Sequence, residues 1–219
     1  MDKLKTIRGQ DNRLLIGVTG GIASGKTTVS NMLEELGALL IDHDKLARTV
    51  VEPGKPAYKE IVDYFGSRIL QEDRCIDRKK LSTIVFQNVE KRKRLESATH
   101  PRIHDLFLKE LTQLAKKQPG AIIQVSIPLM IEHNLQYMFH KLVLVYIPED
   151  KQVERLMARD NISEEKARTI LNAQMPINEK IGYADFVIQN SGPLEHTKKQ
   201  VKELWRKLQK LQKEMAGNK

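Results

Sequence analysis

Four residues of this chain stand at the spacing of a phosphate-binding loop. Gly20, Gly25, Lys26 and Thr27 fit the pattern G-x-x-x-x-G-K-[ST]. In such a loop, glycines let successive backbone N–H groups point at phosphate oxygens, and the N-terminus of the following helix adds partial positive charge. The lysine reaches the β- and γ-phosphates, and the threonine hydroxyl can ligate Mg²⁺. The pattern therefore predicts a site for a nucleoside triphosphate.

We expect the whole turn to contact the nucleotide, through Gly21, Ile22, Ala23, Ser24, Gly25, Lys26, Thr27 and Thr28. The competing interpretation is a Gly-rich turn with a lysine nearby. An apolar run before the turn and a helical pattern after it favour the phosphate loop. No N-K-x-D guanine signature occurs, which favours ATP over GTP. The third predicted strand ends in Ser126-Ile127-Pro128 without an acid, which argues against a hydrolase that uses a Walker-B aspartate.

A second candidate element is Asp42-His43-Asp44, at the end of the next apolar run. Ligands bind at this edge of an α/β sheet, and a carboxylate beside an acceptor hydroxyl can orient it and take its proton. If the segment is extended, both carboxylates face one cleft and His43 points away. The alternative is that one carboxylate caps the following helix. We expect Asp44 to be the base.

Two arginines, Arg155 and Arg159, are four residues apart in a predicted helix and therefore share a face. Two guanidinium groups on a mobile helical lid can close over the transferring phosphoryl group and stabilise its charge. The alternative is a surface ion pair with Glu154 or Asp160. Given the phosphate loop, we favour the functional interpretation.

Three shorter segments carry weaker signals. At His100-Pro101-Arg102 we predict a helix start, whose N–H groups and cationic side chains can hold an anionic group of the acceptor. Pro128-Leu129, after the third strand, is expected to line a wall of the acceptor site. Asn190 follows the last strand and is expected to line the adenine pocket.

The elements that must position these residues are strands alternating with helices, which predicts a parallel sheet. Strands are predicted at 14–19, 38–41, 121–127, 142–147 and 186–188. Helices are predicted at 26–36, 56–65, 77–87, 89–98, 101–117, 149–159 and 163–173, with a short one after Asp44 and an amphipathic one at the C-terminus. The predicted fold is a P-loop NTPase core: a parallel five-stranded sheet flanked by helices, with a helical acceptor-binding subdomain and a helical lid.

The predicted organisation has three parts. The core comprises residues 14–55, 119–148 and 182–215, the helical acceptor subdomain 56–118, and the lid 149–181. Residues 1–13 are predicted to be a loose polar leader without the apolar segment of a secretory signal.

The composition of the chain excludes several classes of function. The chain has 219 residues, a net charge of +9 and one cysteine, Cys75, which excludes an intramolecular disulfide framework and a multi-cysteine metal site. No apolar run approaches the roughly 20 residues of a membrane span. We therefore expect a cytoplasmic protein without a membrane partner. Residues 195–219 hold eight Lys or Arg and three Glu, and Lys91–Arg94 is a second basic cluster. A nucleic-acid partner is the alternative to solvated basic faces, but aromatic content of 5% leaves few stacking platforms.

Taken together, these elements resemble the dephospho-coenzyme A kinase family. The resemblance runs from about residue 14 to 192 and is carried by residues 19–29, 42–48, 100–101, 127–132, 155–160, 174 and 184–192. The D-x-D-x-x-A-R element at Asp42 and the A-D-x-V-I-x-N-x-G ending at Gly192 make it specific. Two departures stand out. Some members carry Asp where this chain has Ser126, and a small residue is commoner at His43.

The resemblance implies transfer of the γ-phosphate of ATP to the ribose 3′-hydroxyl of dephospho-coenzyme A, the last step of coenzyme A synthesis. It implies Asp44 as general base and Lys26 with Arg159 as phosphate-holding groups. It places Thr19, Arg48, His100 and Pro128 near the acceptor. The expected cofactors are ATP as co-substrate and Mg²⁺, and the expected state is a monomer or a weak homo-oligomer. A kinase of a nucleoside or nucleoside monophosphate remains the alternative.

Overall fold

The computed structural model describes residues 12–217, so the predicted leader lies almost wholly outside the described residues. The strands are β1 (Leu14–Gly20), β2 (Leu39–Asp42), β3 (Ile122–Ser126), β4 (Lys141–Tyr146) and β5 (Phe186–Gln189). They form one sheet in the order β2-β3-β1-β4-β5. Strand β1 pairs in parallel with β3 and β4, and β4 pairs in parallel with β5. The predicted five-stranded parallel sheet is confirmed.

Strand β1 lies at the centre of the sheet because it can be buried on both faces. All seven of its residues are buried, as expected for a near-continuous Leu, Ile and Val run in a parallel sheet. Its register sets Gly17 beside Val125 of β3 and Leu142 of β4. The carboxyl end of β1, where the phosphate loop begins, is therefore held on both sides.

Residues 12–217 contain nine α-helices. They are α1 (Lys26–Glu35), α2 (His43–Thr49), α3 (Pro56–Phe65), α4 (Arg78–Phe86), α5 (Val89–Lys117), α6 (Glu149–Asp160), α7 (Glu164–Leu171), α8 (Ile177–Lys180) and α9 (Leu194–Gly217). Short 3₁₀ turns occupy Ser67–Ile69, Gln136–Met138 and Ile181–Tyr183. Among the described residues, no helix combines the length and the apolar character needed to cross a bilayer.

The chain forms two compact units. Residues 12–41 with 112–217 make up the P-loop unit, and Asp42–Leu111 makes up the helical unit. In the P-loop unit, α1 and α9 pack on the sheet through Val29, Leu33, Val201, Leu204 and Leu208. The predicted amphipathic C-terminal helix is confirmed as α9, whose apolar face is buried in this core.

The helical unit has a core of its own. It is formed by Ile61, Phe65, Ile69, Ile76, Leu81 and Ala98. Burying each large apolar side chain of this kind contributes about 1.5–3 kcal/mol. Helix α3 begins with Pro56 in its first turn, where the missing N–H leaves no bond unmade.

Helix α5 corrects one prediction. We expected two helices, 89–98 and 101–117, with Pro101 in the first turn of the second. The structure has one helix of 29 residues with Pro101 inside it. A proline there removes one backbone bond and presses on the carbonyl four residues earlier. The Arg102 Nη1 donates to the Ala98 carbonyl at 2.6 Å, in the turn next to the proline.

Candidate active site

The phosphate loop is a tight turn between β1 and α1. The Ser24 N–H donates to the Gly21 carbonyl at 3.2 Å. Ala23 and Gly25 have φ of 58° and 86°, in the left-handed region, and α1 begins at Lys26. Two features require a glycine at Gly25. Its positive φ disfavours a side chain, and a Cβ would overlap the Asn190 amide. Left-handed residues alternating with others produce a concave set of N–H groups suited to an anion.

Lys26 and Thr27 have the predicted positions at the start of α1. The Lys26 Nζ donates to the Ser126 hydroxyl at 2.9 Å, which gives Ser126 a role as a partner of the lysine. Ser126 is buried at the carboxyl end of β3, while Thr27 and Thr28 are exposed. The hydroxyl of Thr27 is therefore accessible to a ligand.

Asn190 supports the loop from β5. Its Nδ2 donates to the Ser24 carbonyl at 2.8 Å, and its Oδ1 accepts from the Thr197 hydroxyl at 2.8 Å. Arg155 Nη2 donates to the Asn190 carbonyl at 2.8 Å. Sequence reasoning placed Asn190 beside the adenine, and that role stays a prediction. The structure adds a supporting role, because the buried amide side chain joins the loop to α9.

The two arginines of α6 differ in their surroundings. Arg155 lies beside the phosphate loop through Asn190 and is half-buried. Arg159 is exposed and forms two hydrogen bonds with Asp160, at 2.7 and 2.9 Å. The hydrogen bond from Arg159 lowers the pKa of Asp160 and raises the pKa of the guanidinium itself. The ion pair that we considered as the alternative for Arg159 is therefore present.

The predicted wall of the acceptor site is joined to β1. The Thr19 hydroxyl donates to the Pro128 carbonyl at 3.1 Å, and Thr19 is fully buried. Leu129 is partly exposed, whereas Met130 and Ile131 are buried in the core.

Within the helical unit, Asp42 and Asp44 do not share an extended segment. Asp42 is the N-cap of α2, and its Oδ1 accepts from the Asp44 and Lys45 N–H groups at 2.9 and 3.3 Å. The helix begins at His43, so the argument that both carboxylates face one way was wrong. A capping carboxylate satisfies N–H groups that the first turn leaves unpaired. Asp44, in that first turn, and Arg48 are both exposed.

His100 does not lie at a helix start. Because α5 is continuous, the N–H groups that we expected to hold an anion there belong to the helix interior. His100 is exposed. Its neighbour Arg102 reaches Glu60 on α3, with Nη2 to Oε1 at 2.6 Å. Arg102 thus ties two helices of its own unit together.

Two functional candidates were missed by sequence reasoning. The Gln174 Oε1 accepts from the Ile22 N–H at 3.0 Å, and the Gln152 Nε2 donates to the Ile22 carbonyl at 2.8 Å. Gln174 belongs to the segments that carried the family resemblance, but no role followed from it. No local pattern marks Gln152, because its contact depends on how α6 packs beside the loop.

The parallel sheet, the left-handed turn and the lysine at the start of α1 define a P-loop nucleotide-binding protein. A sequence profile of the dephospho-CoA kinase family matches residues 14–196. The chain therefore belongs to the dephospho-CoA kinase family.

Similar proteins agree with this membership. A dephospho-CoA kinase of Carboxydothermus hydrogenoformans is 46% identical over 187 residues, covering 85% of this chain and 90% of that protein. One of Syntrophus aciditrophicus is 40% identical over 208 residues, covering 94% and 88%. The solved structure of dephospho-CoA kinase from Campylobacter jejuni is 32% identical with a TM-score of 0.67, covering 90% of this chain and 98% of that one.

Proposed function

We propose that this protein transfers the γ-phosphate of ATP to the ribose 3′-hydroxyl of dephospho-coenzyme A. The observation that carries the proposal is the family match over residues 14–196, which includes the phosphate loop and its lysine. In the reaction, the 3′-oxygen forms a bond to the γ-phosphorus while the bond between that phosphorus and the β,γ-bridging oxygen breaks. The products are coenzyme A and ADP.

We propose that the nucleotide contacts residues 21–28. Their N–H groups and the dipole of α1 stabilise the phosphate charge. Lys26 exchanges its bond to the Ser126 hydroxyl for the β- and γ-phosphates, which carry more charge than a hydroxyl and make stronger hydrogen bonds. Arg155 and Arg159 are proposed to neutralise the transferring group, with Arg159 leaving Asp160 to do so. Asn190 is proposed to border the adenine.

On the acceptor side, we propose that Asp44 takes the proton of the 3′-hydroxyl. Its carboxylate is exposed in the first turn of α2, whereas the Asp42 carboxylate is engaged as the cap. Arg48, His100, Thr19, Pro128 and Leu129 are proposed to bind the acceptor. Of these, Arg48 and His100 are exposed and offer N–H donors, which suits a substrate with phosphate groups.

Mg²⁺ is the metal expected for such a transfer. The structure fits it in one respect, since Thr27 presents an exposed hydroxyl at the start of α1. Among residues 12–217 there is no group of three or more His, Cys, Asp or Glu side chains arranged to hold a metal ion. Mg²⁺ needs few protein ligands when it also binds phosphates and water, so Thr27 would suffice. When bound, the ion would neutralise charge on the β- and γ-phosphates.

Three broader assignments complete the proposal. The helical unit, which contains residues 56–111 of the predicted subdomain 56–118, binds the acceptor, and residues 149–181 act as a lid. The protein works in the cytoplasm as a monomer or a weak homo-oligomer. Light scattering across a range of protein concentrations would measure the oligomeric state.

The decisive experiment is release of ADP from ATP with purified full-length protein and a panel of acceptors. The panel contains dephospho-coenzyme A, adenosine and AMP, with coenzyme A itself as the matched control because its 3′-position is already phosphorylated. We expect saturable turnover with dephospho-coenzyme A and none with coenzyme A. Turnover of a nucleoside or nucleoside monophosphate, with none of dephospho-coenzyme A, would overturn the proposal.

A further inference from the structure

The peptide groups on either side of Ile22 are held by two glutamine side chains. Its N–H donates to Gln174 Oε1, and its carbonyl accepts from Gln152 Nε2. A backbone N–H can only donate and a carbonyl can only accept. Each glutamine amide is therefore fixed in one orientation, one as an acceptor and the other as a donor.

These bonds fix two successive peptide planes of the phosphate loop. The carbonyl of the Gly21–Ile22 peptide accepts from the Ser24 N–H, and its N–H donates to Gln174. The next peptide has its carbonyl on Gln152. Because the carbonyl and N–H of a trans peptide point in opposite directions, that bond turns the Ala23 N–H away from Gln152. The direction of an N–H group in the loop is thus set by side chains from outside it.

The restrained peptides come directly before a strained residue. Ala23 has φ of 58°, which a residue with a Cβ adopts only when its surroundings require it. Next to these two glutamine hydrogen bonds lies a cavity of about 240 Å³ bordered by Gly21, Gln152 and Gln174. Without the two glutamine hydrogen bonds, the strain at Ala23 favours another backbone conformation of the turn, and the cavity leaves space for it.

Gln152 is built into the site by packing. Its side chain is 3% exposed on α6. A Cβ at Gly21 would overlap the Gln152 amide, so the glycine makes room for the glutamine. This gives a physical reason for the second glycine of the loop.

Gln174 is anchored by a buried ion pair. Lys180 is fully buried, and its Nζ lies 2.6 Å from Glu132 Oε1. The same oxygen accepts from the Met175 N–H at 3.2 Å, and the Gln174 N–H donates to Leu171 at 2.9 Å. A buried lysine is costly unless paired with good geometry, so this pair fixes the backbone around it. Gln174, three residues beyond the end of α7, is thereby held at a set position beside the loop.

We propose that Gln152 and Gln174 are positioning residues that hold the loop in its phosphate-binding conformation and join it to the segment 149–180. The inference rests on the proposed function only in taking ATP as the ligand. Neither glutamine needs to touch the nucleotide. The two side chains raise the affinity for the triphosphate, and this effect requires a hydrogen-bond acceptor at Gln174 and a donor at Gln152.

The test makes the same substitution at both positions. Gln174→Glu keeps an oxygen acceptor for the Ile22 N–H, whereas Gln152→Glu removes the donor and sets a carboxylate against the Ile22 carbonyl. Both variants add one negative charge near the loop, so their net charges are equal. We expect Gln152→Glu to weaken binding of a non-hydrolysable ATP analogue about tenfold more than Gln174→Glu does, since the partly buried Ile22 carbonyl loses its partner. Calorimetry on the full-length protein measures both affinities.

Apolar variants and a control variant distinguish the loss of these hydrogen bonds from a general loss of folding. Gln174→Leu and Gln152→Met remove one bond each at similar volume, and both are expected to raise KM for ATP more than they lower kcat. Gln200 makes the same kind of bridge to the backbone of Gln189, at 2.9 and 2.8 Å, within the same unit. Gln200→Leu is expected to bind the analogue as the parent protein does.

The inference is overturned by equal affinities for the two Glu variants or by wild-type binding in Gln174→Leu and Gln152→Met. Because binding is measured without an acceptor, a failure of dephospho-coenzyme A as a substrate leaves these outcomes intact. Equal affinities, in turn, leave the acceptor assignment intact. The two proposals therefore fail separately.

Discussion

The P-loop unit and the helical unit hold their candidate functional residues in different ways. In the P-loop unit, the carbonyls of Ile22 and Ser24 and the Lys26 ammonium each have a defined partner within 3.0 Å. In the helical unit, Asp44, Arg48 and His100 are exposed on helix surfaces. A side chain that is both buried and hydrogen-bonded is restricted to few rotamers.

The difference follows from what each region is proposed to bind. A triphosphate is recognised largely by backbone N–H groups, and their directions must be fixed before the ligand arrives. An acceptor hydroxyl is recognised by side chains on helices, which the helix places but does not immobilise. The four predictions below test this contrast.

The largest effect is expected at Asp44. Asp44→Asn removes the proposed base, and we expect kcat to fall about 10³-fold. Affinity for ATP should change little, because the substitution is outside the P-loop unit. Steady-state kinetics with dephospho-coenzyme A and calorimetry with an ATP analogue measure the two quantities.

Asp42→Asn is the matched control. Asn caps a helix about as well as Asp, so this variant should keep α2 and retain kcat within about threefold. An equal fall in both variants would show that the pair acts together and that Asp44 is not the particular base.

The next effect is expected at Arg159. Arg159→Met removes a cation proposed to stabilise the transferring phosphoryl group, and we expect kcat to fall about 100-fold. Asp160→Asn, its control, releases the guanidinium from its partner and should leave kcat at or above the parent value. A loss of the same size in the control would indicate that the ion pair itself, and not the free arginine, is needed.

Gly25 and Gly54 compare the two units directly. Both have positive φ, 86° and 87°, but a Cβ at Gly25 would overlap the Asn190 amide while one at Gly54 meets nothing within 4 Å. Gly54→Ala should lower the free energy of unfolding by about 1–2 kcal/mol, the cost of a left-handed alanine. Gly25→Ala should cost about 1–3 kcal/mol more, since the Asn190 hydrogen bonds are also lost.

Urea unfolding measures the loss of stability in both variants. Binding of the ATP analogue then shows which variant also impairs the nucleotide site. Only Gly25→Ala should weaken nucleotide binding, by about tenfold if one loop carbonyl loses its buried donor. A comparable loss in Gly54→Ala would mean that the nucleotide also depends on the start of the helical unit.

The smallest effect is expected at Glu60. Its ion pair with Arg102 is partly exposed, with 40% and 31% of the two side chains accessible. Solvent screens such a pair, so Glu60→Gln should destabilise the protein by only about 0.5–1 kcal/mol. We expect kcat and KM to be unchanged. A raised KM for the acceptor would instead give Arg102 a part in substrate binding, as the sequence had suggested.

Local patterns predicted the phosphate loop and the sheet well. The run 14–19 became β1, and helix α1 begins at Lys26 as expected. Both follow from short-range rules: buried parallel strands are continuously apolar, and a left-handed glycine before a lysine starts the helix. The family profile adds the acceptor, which no local rule contains.

The errors arose where a local preference met a tertiary contact. Pro101 favours the first turn of a helix, yet it lies inside one continuous helix, in which Ala98 packs in the helical unit's core and Arg102 contacts Ala98 and Glu60. An extended segment would turn the carboxylates of Asp42 and Asp44 the same way, but the helix start at His43 makes Asp42 a cap, which was the alternative interpretation.

The sequence by itself determined that this chain folds as a parallel α/β protein with a phosphate loop, because the spacing of glycines, a lysine and apolar runs is a local property. Only the tertiary structure decided which side chains hold that loop. Gln152, Gln174 and Asn190 reach it from segments about 130 to 166 residues away along the chain. Hydrogen bonds between such distant segments depend on how helices pack on the sheet, and no pattern within either segment encodes that packing.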